Sequence, residues 1–364
     1  MHATIVGGGI AGLALAAALG TSARGLGRTV LERRAATDPA GLGFLLLENG
    51  IEALGRIIPG FDGRRTGHAV EGVALLDREG RLLARHALPA ARCVERREMI
   101  GLLHGAAIGA DIRDSAAATG LVRDARGRVQ AVTLEDGARV EGDLFFACDG
   151  ANSRLRSILQ PESRLSEASV LEIVSSVESA PLAAHLGTTF RKYHDPEGGL
   201  AAGLLATGPS RIVWFLQVDG RRWRPADRTG ASLRAFATDR LAGWAPEVAA
   251  AIDATDFTRS HLWTTRDLAP LPRLAERNIA LVGDAAHACL PFTSQGANGA
   301  LVDAALLGEL LREARTPEAA EAALARYCAL RRPHHAHMHR EGRRLHDRFL
   351  APSPGRAPMV PIAA

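Results

Sequence analysis

Residues 3–12 have the sequence ATIVGGGIAG, which predicts a short buried strand, a glycine turn and the start of a helix. In such a turn Gly7 permits the tight change of direction, Gly9 lets a pyrophosphate approach the backbone, and Gly12 lets the helix pack on the strand. The helix would present free N–H groups and its positive dipole end to the phosphates. The predicted contacts are Gly7, Gly9, Ile10, Ala11 and Gly12. The stretch predicts a dinucleotide site, with an ordinary glycine turn as the alternative.

An acidic residue follows the second predicted strand, residues 29–31. Glu32 lies about twenty residues after Gly12, where a carboxylate can accept hydrogen bonds from both hydroxyls of a ribose. An acid at this point favours a 2′-hydroxyl over a 2′-phosphate, which fits FAD or NAD rather than NADP as the resident nucleotide. Its neighbour Arg33 is added to the predicted contacts.

A second motif, LVGDAAH at residues 281–287, predicts a buried strand that ends at Gly283-Asp284. Asp284 could accept a hydrogen bond from a ribityl hydroxyl. After Pro291, residues 296–298 (Gly-Ala-Asn) would place backbone N–H groups at another helix N-terminus, suited to the electron-rich edge of a flavin. Alone, the motif could equally be a Gly-Asp turn before an unrelated helix. Two separated binding ends are, however, what an extended FAD molecule needs.

These motifs, together with CDGANSR at residues 148–154, resemble those of the class A flavin monooxygenases, the family of para-hydroxybenzoate hydroxylase. Arg97 matches the arginine that opens a helix beside the flavin in that family. The resemblance implies that Asp149 contributes to the pyrophosphate side and that Pro291 lies near the reactive edge of the flavin. The predicted FAD contacts in these later motifs are Arg97, Asp149, Asp284, Pro291, Gly296, Ala297 and Asn298.

The resemblance also implies an activity. In that family NADPH or NADH docks transiently, and the reduced flavin reacts with O2 to give a C4a-hydroperoxide. We therefore expect a monooxygenase that inserts one oxygen atom into a small organic substrate, aromatic or polyketide-like. A flavin-dependent halogenase and an FAD-binding accessory protein without turnover are the alternatives. The halogenase motif Trp-x-Trp-x-Ile-Pro is not recognisable, because Trp214 and Trp223 stand alone.

Composition excludes several other classes of protein. The 364 residues carry a net charge of +4, but the arginines are scattered and Lys192 is the single lysine, so we expect no nucleic-acid partner. The four cysteines form no CxxC pair, which indicates a reducing, cytoplasmic location and no zinc site. No early apolar run is long enough for a membrane span. We also predict no metal site at the histidines of residues 334–339, because no neighbouring carboxylate or cysteine completes a ligand set.

The alternation of patterns predicts an α/β fold with a discontinuous Rossmann-like FAD-binding domain, an inserted antiparallel substrate sheet and C-terminal helices. The FAD-binding domain would comprise residues 1–67, 90–158 and 260–350. The substrate domain would comprise residues 68–89 and 159–259, and residues 351–364 would form a loose tail.

The residues that act on the substrate are less evident in the sequence. Along the predicted strand of residues 188–194, Arg191 and Tyr193 share one face and Lys192 and His194 share the other. One of these faces should meet the flavin, and the sequence leaves open which one. We take His194 and Arg191 as the candidate catalytic residues, with a polar strand end at the surface as the alternative.

Overall fold

The computed structural model describes residues 1–22, 25–35 and 42–352 of the chain. The strands are β1 (His2–Val6), β2 (Gly27–Leu31), β3 (Gly43–Leu46), β4 (His68–Asp77), β5 (Leu82–Glu95), β6 (Asp111–Arg113), β7 (Ala118–Arg123), β8 (Val129–Leu134), β9 (Arg139–Glu141), β10 (Leu144–Ala147), β11 (Val170–Glu178), β12 (Thr189–His194), β13 (Leu200–Ala206), β14 (Arg211–Asp219), β15 (His261–Thr265), β16 (Ala275–Glu276) and β17 (Ile279–Leu281). The α-helices are α1 (Ile10–Ser22), α2 (Glu48–Ile57), α3 (Arg96–Ala106), α4 (Arg154–Leu159), α5 (Ala180–Leu186), α6 (Gly230–Arg240), α7 (Pro246–Asp253), α8 (Asp284–His287), α9 (Gln295–Leu311) and α10 (Pro317–Leu350).

The first sheet has six strands in the order β16-β17-β10-β1-β2-β6, and its central strands are parallel. Helix α1 packs against this sheet and against α9, and its residues 10–19 are all buried, because this segment is alanine- and leucine-rich on every side. Parallel strands end at the same edge of a sheet. The turns after β1, β2, β10 and β17 therefore lie side by side, which is where open α/β sheets bind ligands.

The second sheet has eight strands in the order β15-β11-β14-β13-β12-β4-β5-β3. Strands β12, β13 and β14 form the predicted antiparallel meander. Helices α5, α6 and α7 cover one face, where Tyr193 and Trp214 are completely buried. The predicted fold class, with its nucleotide sheet and second antiparallel sheet, is confirmed.

The second sheet takes strands from beyond the segments predicted for the substrate domain. Strand β3 pairs with the end of β5, and β15 pairs with β11, although both lie in segments predicted for the FAD-binding domain. Each is a short strand that satisfies its backbone groups at a sheet edge, which local sequence patterns do not reveal.

The last helix contains a proline. Pro333 lies inside the 34-residue helix α10 and does not end it. A proline inside a helix removes one hydrogen bond and crowds the preceding turn. Here residues on both sides of it are buried against the body of the protein, among them Tyr327, Met338 and Leu345, so tertiary packing keeps the helix continuous.

Two further features bear on the predictions. No helix within the described residues is both long and apolar enough to cross a membrane. The predicted tail lies, from residue 353 onwards, outside the described residues.

Candidate active site

The turn after β1 has the geometry that close approach of a phosphate requires. Gly7 has a φ of +112°, and a Cβ atom there would lie 2.2 Å from the carbonyl oxygen of Cys148. A Cβ on Gly12 would lie 1.8 Å from the carbonyl oxygen of Gly7. The carbonyl of Gly9 accepts the first hydrogen bond of α1, from the N–H of Leu13 at 3.0 Å. The N–H groups of the residues between them have no acceptor inside the helix and point out of its N-terminus. Glycine is therefore required on steric grounds at the first and third positions.

Glu32 lies beside this turn. One carboxylate oxygen accepts from the N–H of Gly8 at 2.7 Å, and the other accepts from the N–H of Arg34 at 2.9 Å. A carboxylate has about four acceptor positions, so Glu32 is held in place and keeps capacity for ribose hydroxyls. Arg33 is exposed to solvent.

The arginine that faces the glycine turn is Arg96 and not the predicted Arg97. A guanidinium nitrogen of Arg96 lies 3.7 Å from the Cβ position of Gly9, and Arg96 feels the charges of Asp284 and Glu32. Burial lowers the pKa of Arg96, while those two acids favour its charged form. Arg97 is 69% exposed and pairs with Glu95 at 3.5 Å. Helical rotation decides this, because neighbouring helix residues point about 100° apart.

Asp149, at the end of β10, organises the turn that leads into α4. It accepts hydrogen bonds from the hydroxyl of Ser153 at 2.5 Å and from the N–H groups of Arg154 at 2.8 Å and Leu155 at 3.2 Å. Its side chain is thus largely engaged within its own loop. The structure places this loop next to the glycine turn, because β10 is the parallel neighbour of β1.

The loop after β17 brings the other predicted FAD residues together. Asp284 is exposed and lies 3.8 Å from the Cβ position of Gly296. Helix α9 begins at Gln295, so residues 296–298 lie in its first turn, where backbone N–H groups lack acceptors one turn back inside the helix. The Asn298 side chain is completely buried and binds backbone instead: it accepts from the N–H of Leu47 and donates to the carbonyls of Leu45 and Ser294, at 2.7–2.9 Å. Asn298 therefore fastens β3 to α9.

A cavity of about 250 Å³ lies between this loop and the open face of the second sheet. Residues from the loop, among them Pro291, Phe292 and Ala297, form one wall. Strand β3 closes one side. The floor is the sheet itself, including Phe190, Lys192, Phe215, Gln217 and Glu172. An engineered cavity of about 150 Å³ accepts benzene, so this volume suits a single aromatic ring with substituents.

Among the described residues that line the cavity, Lys192 is the one with a basic side chain, and it is 3% exposed. Its ammonium lies 5.8 Å from the ring of Phe215 and 5.6 Å from the ring of Phe292. Burial lowers the pKa of Lys192 to about 8, against the opposing charge of Glu172. Burial also raises the pKa of Glu172, while a 2.9 Å hydrogen bond from Gln217 and the charge of Lys192 oppose that rise.

Arg191, one of the two candidate catalytic residues, lies on the opposite face of the sheet. It donates to Glu247 at 3.1 Å, and Tyr193 donates to the same oxygen at 2.6 Å. Glu247 belongs to α7, so this face meets the helices and not the cavity. The placement of Arg191 at the site is therefore corrected: strand alternation turns Lys192 toward the cavity and Arg191 away.

His194, the other candidate, shares a face with Lys192 but is not among the residues that line the cavity. Its Nε2 atom is buried without a hydrogen-bond partner among the described residues. Burial, with a smaller effect of Lys192, holds the pKa of His194 well below its ordinary value. The ring is thus neutral near pH 7 and can serve as a hydrogen-bonding group, not as a cation.

The prediction that no carboxylate completes a ligand set at the C-terminal histidines is not met. Asp303, which is completely buried, lies with His287 and His335 in a group whose ligand atoms are within 4.8 Å of one another. Its carboxylate is already occupied, accepting from His287 at 2.7 Å, from Arg331 at 2.6 Å and from the N–H of Gly283 at 3.0 Å. A hydrogen-bonded ion pair accounts for this cluster, so we assign no metal to it.

Sequence reasoning missed Glu172, Gln217, Arg96 and Asp303. Lys192 was placed on the strand face opposite Arg191 but was not taken as a candidate catalytic residue. The available signal was a charged or amide residue at an inward position of an otherwise apolar strand, as with Glu172 in VLEIVSS and Gln217 in WFLQVD. Polar residues at such positions are costly to bury and so indicate a site.

Comparisons with known proteins agree with this geometry. A family model described as an FAD binding domain matches residues 1–341. The 3-amino-4-hydroxybenzoate 2-monooxygenase PtnB3 of Streptomyces platensis is 31% identical over 369 residues, covering 96% of this chain and 88% of that protein. Klebsiella pneumoniae HpxO, solved with FAD and uric acid, has a TM-score of 0.82 at 25% identity, covering 94% of this chain and 87% of that one. PqsL of P. aeruginosa, solved with 2-aminobenzoylacetate, has a TM-score of 0.80 at 26% identity, covering 96% and 97%.

Proposed function

This chain belongs to the FAD-binding-domain family and is an FAD-dependent monooxygenase of class A, and from that premise we propose that it hydroxylates a small aromatic substrate in the cavity above Lys192. The bound flavin, reduced by NADH or NADPH, supplies the activation of O2, by the route that the resemblance implies. The residues of this chain bind the cofactor, place the substrate and exclude water.

The chain's own residues fit FAD. A Cβ at Gly7 or Gly12 would collide with neighbouring backbone, so the two glycines allow the tight turn that a pyrophosphate can approach, and Glu32 is held beside it with acceptor capacity for a ribose hydroxyl. Arg96 offers a positive charge next to the turn, which suits a pyrophosphate. We propose that the turn at residues 7–12, Glu32 and Arg96 hold the ADP half, with the loop of Asp149 at its border.

The flavin half is assigned to the second binding end. We propose that Asp284 accepts from the ribityl chain and that the free N–H groups at residues 296–298 stabilise negative charge on the flavin ring. Pro291 and Ala297 line the cavity from the same loop, so a flavin held by this loop would border the cavity that contains Lys192. This shared loop is the observation that supports the proposal, because a flavin bound by it would lie beside a substrate-sized space.

The test is to measure NADH and NADPH oxidation by the purified yellow protein with a panel of small aromatic acids, amines and phenols. Compounds related to those that the similar proteins bind or act on, such as aminohydroxybenzoates, 2-aminobenzoylacetate and urate, belong in the panel. We expect at least one compound to accelerate oxidation and to gain one oxygen atom that carries the label of isotopic O2. Failure of every compound to stimulate oxidation, or unlabelled product, would contradict the proposal.

One observation favours the halogenase alternative. Flavin-dependent halogenases carry a lysine in the pocket, and Lys192 lines the cavity. A product that contains chlorine or bromine, formed only when the halide is present, would favour it. Oxygen incorporation that is indifferent to halide would exclude it.

A further inference from the structure

Three polar side chains on the cavity floor are not among the residues proposed above to hold FAD. They are Lys192 on β12, Gln217 on β14 and Glu172 on β11. Lys192 and Gln217 are 3% and 2% exposed. Buried polar groups are retained where their hydrogen bonds are satisfied or where they serve a ligand.

Lys192 makes no ion pair within the described part of the chain, and the carboxylate of Glu172 acts on it only at longer range. Its ammonium lies near the rings of Phe215 and Phe292, and no carboxylate of the described residues lies within ion-pairing distance of it. A buried ammonium is costly unless it is paired, and aromatic faces compensate only in part. An acidic oxygen of a ligand would complete this group.

The other side of the floor offers hydrogen-bond acceptors. Gln217 donates its amide N–H to Glu172 at 2.9 Å, so the amide oxygen of Gln217 points away from Glu172. That oxygen is buried and has no partner among the described residues. The second carboxylate oxygen of Glu172 adds another acceptor. A ligand that carries an N–H or O–H donor would satisfy this side.

The sheet register sets the distance between the two sides. Lys192 pairs with Gly203, Gly203 pairs with Phe215, and Gln217, two residues along β14, pairs with Glu172. Lys192 and Glu172 therefore stand three strand spacings apart, about 14 Å across the sheet, and are offset by two residues along the strands. The ring of Phe215 lies over Gly203 between them, where any Cβ would come within 2.2 Å of it. The floor is an aromatic surface with a donor at one end and acceptors at the other.

We propose that this floor selects an amphoteric aromatic ring, one that presents an acidic oxygen to Lys192 and an amino or other N–H donor to Glu172 and Gln217. The inference rests on the proposed function and narrows its substrate class. The ring would lie on Phe215, and the cavity of about 250 Å³ limits the ligand to one ring or a small fused pair.

The experiment is a titration of the oxidised, FAD-loaded protein, followed through the flavin absorption spectrum without reductant. The probes are benzoate, aniline and the three aminobenzoate isomers. We expect one aminobenzoate to bind at least about tenfold more tightly than benzoate or aniline, because each end adds a hydrogen bond to a charged group. This ranking uses the unaltered protein and so does not depend on the folding of any variant.

Variants then assign the two ends. Lys192→Met should weaken benzoate and aminobenzoate about tenfold or more and leave aniline unchanged. Glu172→Gln should weaken aniline and aminobenzoate severalfold and leave benzoate unchanged or tighter. Arg191→Met is the matched control, because it removes one positive charge from the same strand on the face that meets α7. It should leave all the affinities unchanged.

Two results would overturn the inference: benzoate binding to Lys192→Met that equals that of the parent protein, or aniline binding more tightly than every aminobenzoate. Oxygen insertion into a compound without an acidic group, together with weak aminobenzoate binding, would leave the proposed function standing and reject this substrate class. Tight, Lys192-dependent aminobenzoate binding without oxygen insertion into any compound would reject the function and keep the binding site.

Discussion

Asp303 ties the flavin-side loop to the C-terminal helix, and its replacement by asparagine should be among the most damaging single changes in the chain. The carboxylate is completely buried and accepts hydrogen bonds from Gly283, His287 and Arg331. The positive charge of Arg331, followed by that of His287, holds the pKa of Asp303 well below its usual range against the effect of burial. Asp303→Asn removes the charge and presents an N–H₂ group to at least one of these donors.

The expected cost follows from the pair that is broken. Removing one partner of a buried ion pair destabilises a protein by about 3–5 kcal/mol, because the other charge is left uncompensated. Arg331 is only 6% exposed, so solvent cannot take over from Asp303. With an unfolding entropy of about 2.1 cal/mol/K per residue, 364 residues give about 0.76 kcal/mol/K, and a loss of 4 kcal/mol lowers Tm by about 5 °C.

The assay is thermal and urea unfolding of the FAD-free protein, followed by circular dichroism, with FAD affinity measured separately by fluorescence. Asp239→Asn is the matched control: this aspartate is 67% exposed on α6, so its change should stay within about 0.5 kcal/mol. Adding Arg331→Met to Asp303→Asn removes the unpaired cation and should restore about half of the loss. A Tm within 1 °C of the parent for Asp303→Asn, or a double variant whose losses simply add, would refute the ion-pair reasoning.

The remaining predictions concern the nucleotide turn and the response to pH. Gly12→Ala should abolish FAD retention, because its Cβ would lie 1.8 Å from the carbonyl oxygen of Gly7, whereas Gly55→Ala in α2, which meets no atom within 4 Å, should stay fully yellow. Colour retained by Gly12→Ala would contradict the assignment of the turn. Burial, with the charge of His287, lowers the pKa of His335 from 6.5 to about 4, so protonation favours the unfolded chain. The stability due to a neutral His335 is present above pH 6.5 and declines as the pH falls toward 4, a loss of about 2 kcal/mol between pH 7 and 5. Urea unfolding at both pH values should show that the free energy of unfolding of His335→Gln falls less between pH 7 and 5 than that of the parent protein. An equal fall in both proteins would exclude His335 as the cause of the pH dependence.

Much of the nucleotide-binding part of this protein could be predicted because its determinants are local. Gly7, Gly12 and Glu32 belong to one strand-turn-helix-strand unit, and their spacing along the chain fixes their spacing in space. The loops of Asp149 and Asp284 could be added because parallel strands bring their ends to one edge. The sequence did not indicate that Arg96, and not Arg97, faces the glycine turn, because one residue of helix rotation decides this and helix ends are not that well defined in a sequence.

The substrate side depends on contacts that the sequence does not contain. Alternation along β12 establishes that Arg191 and Lys192 face opposite ways, but not which of them faces the cavity. The helices that cover the other face determine that, and Glu247, 56 residues further along, binds Arg191 there. Asp303 likewise lies close to His335, which is 32 residues further along the chain. His335 belongs to α10, which continues through Pro333 because it is packed on both sides of that proline. The sequence by itself thus determined the cofactor and the class of fold, since short-range geometry suffices for them. The tertiary structure decided which charges are buried together beside the cofactor, because burial and pairing are properties of the folded chain.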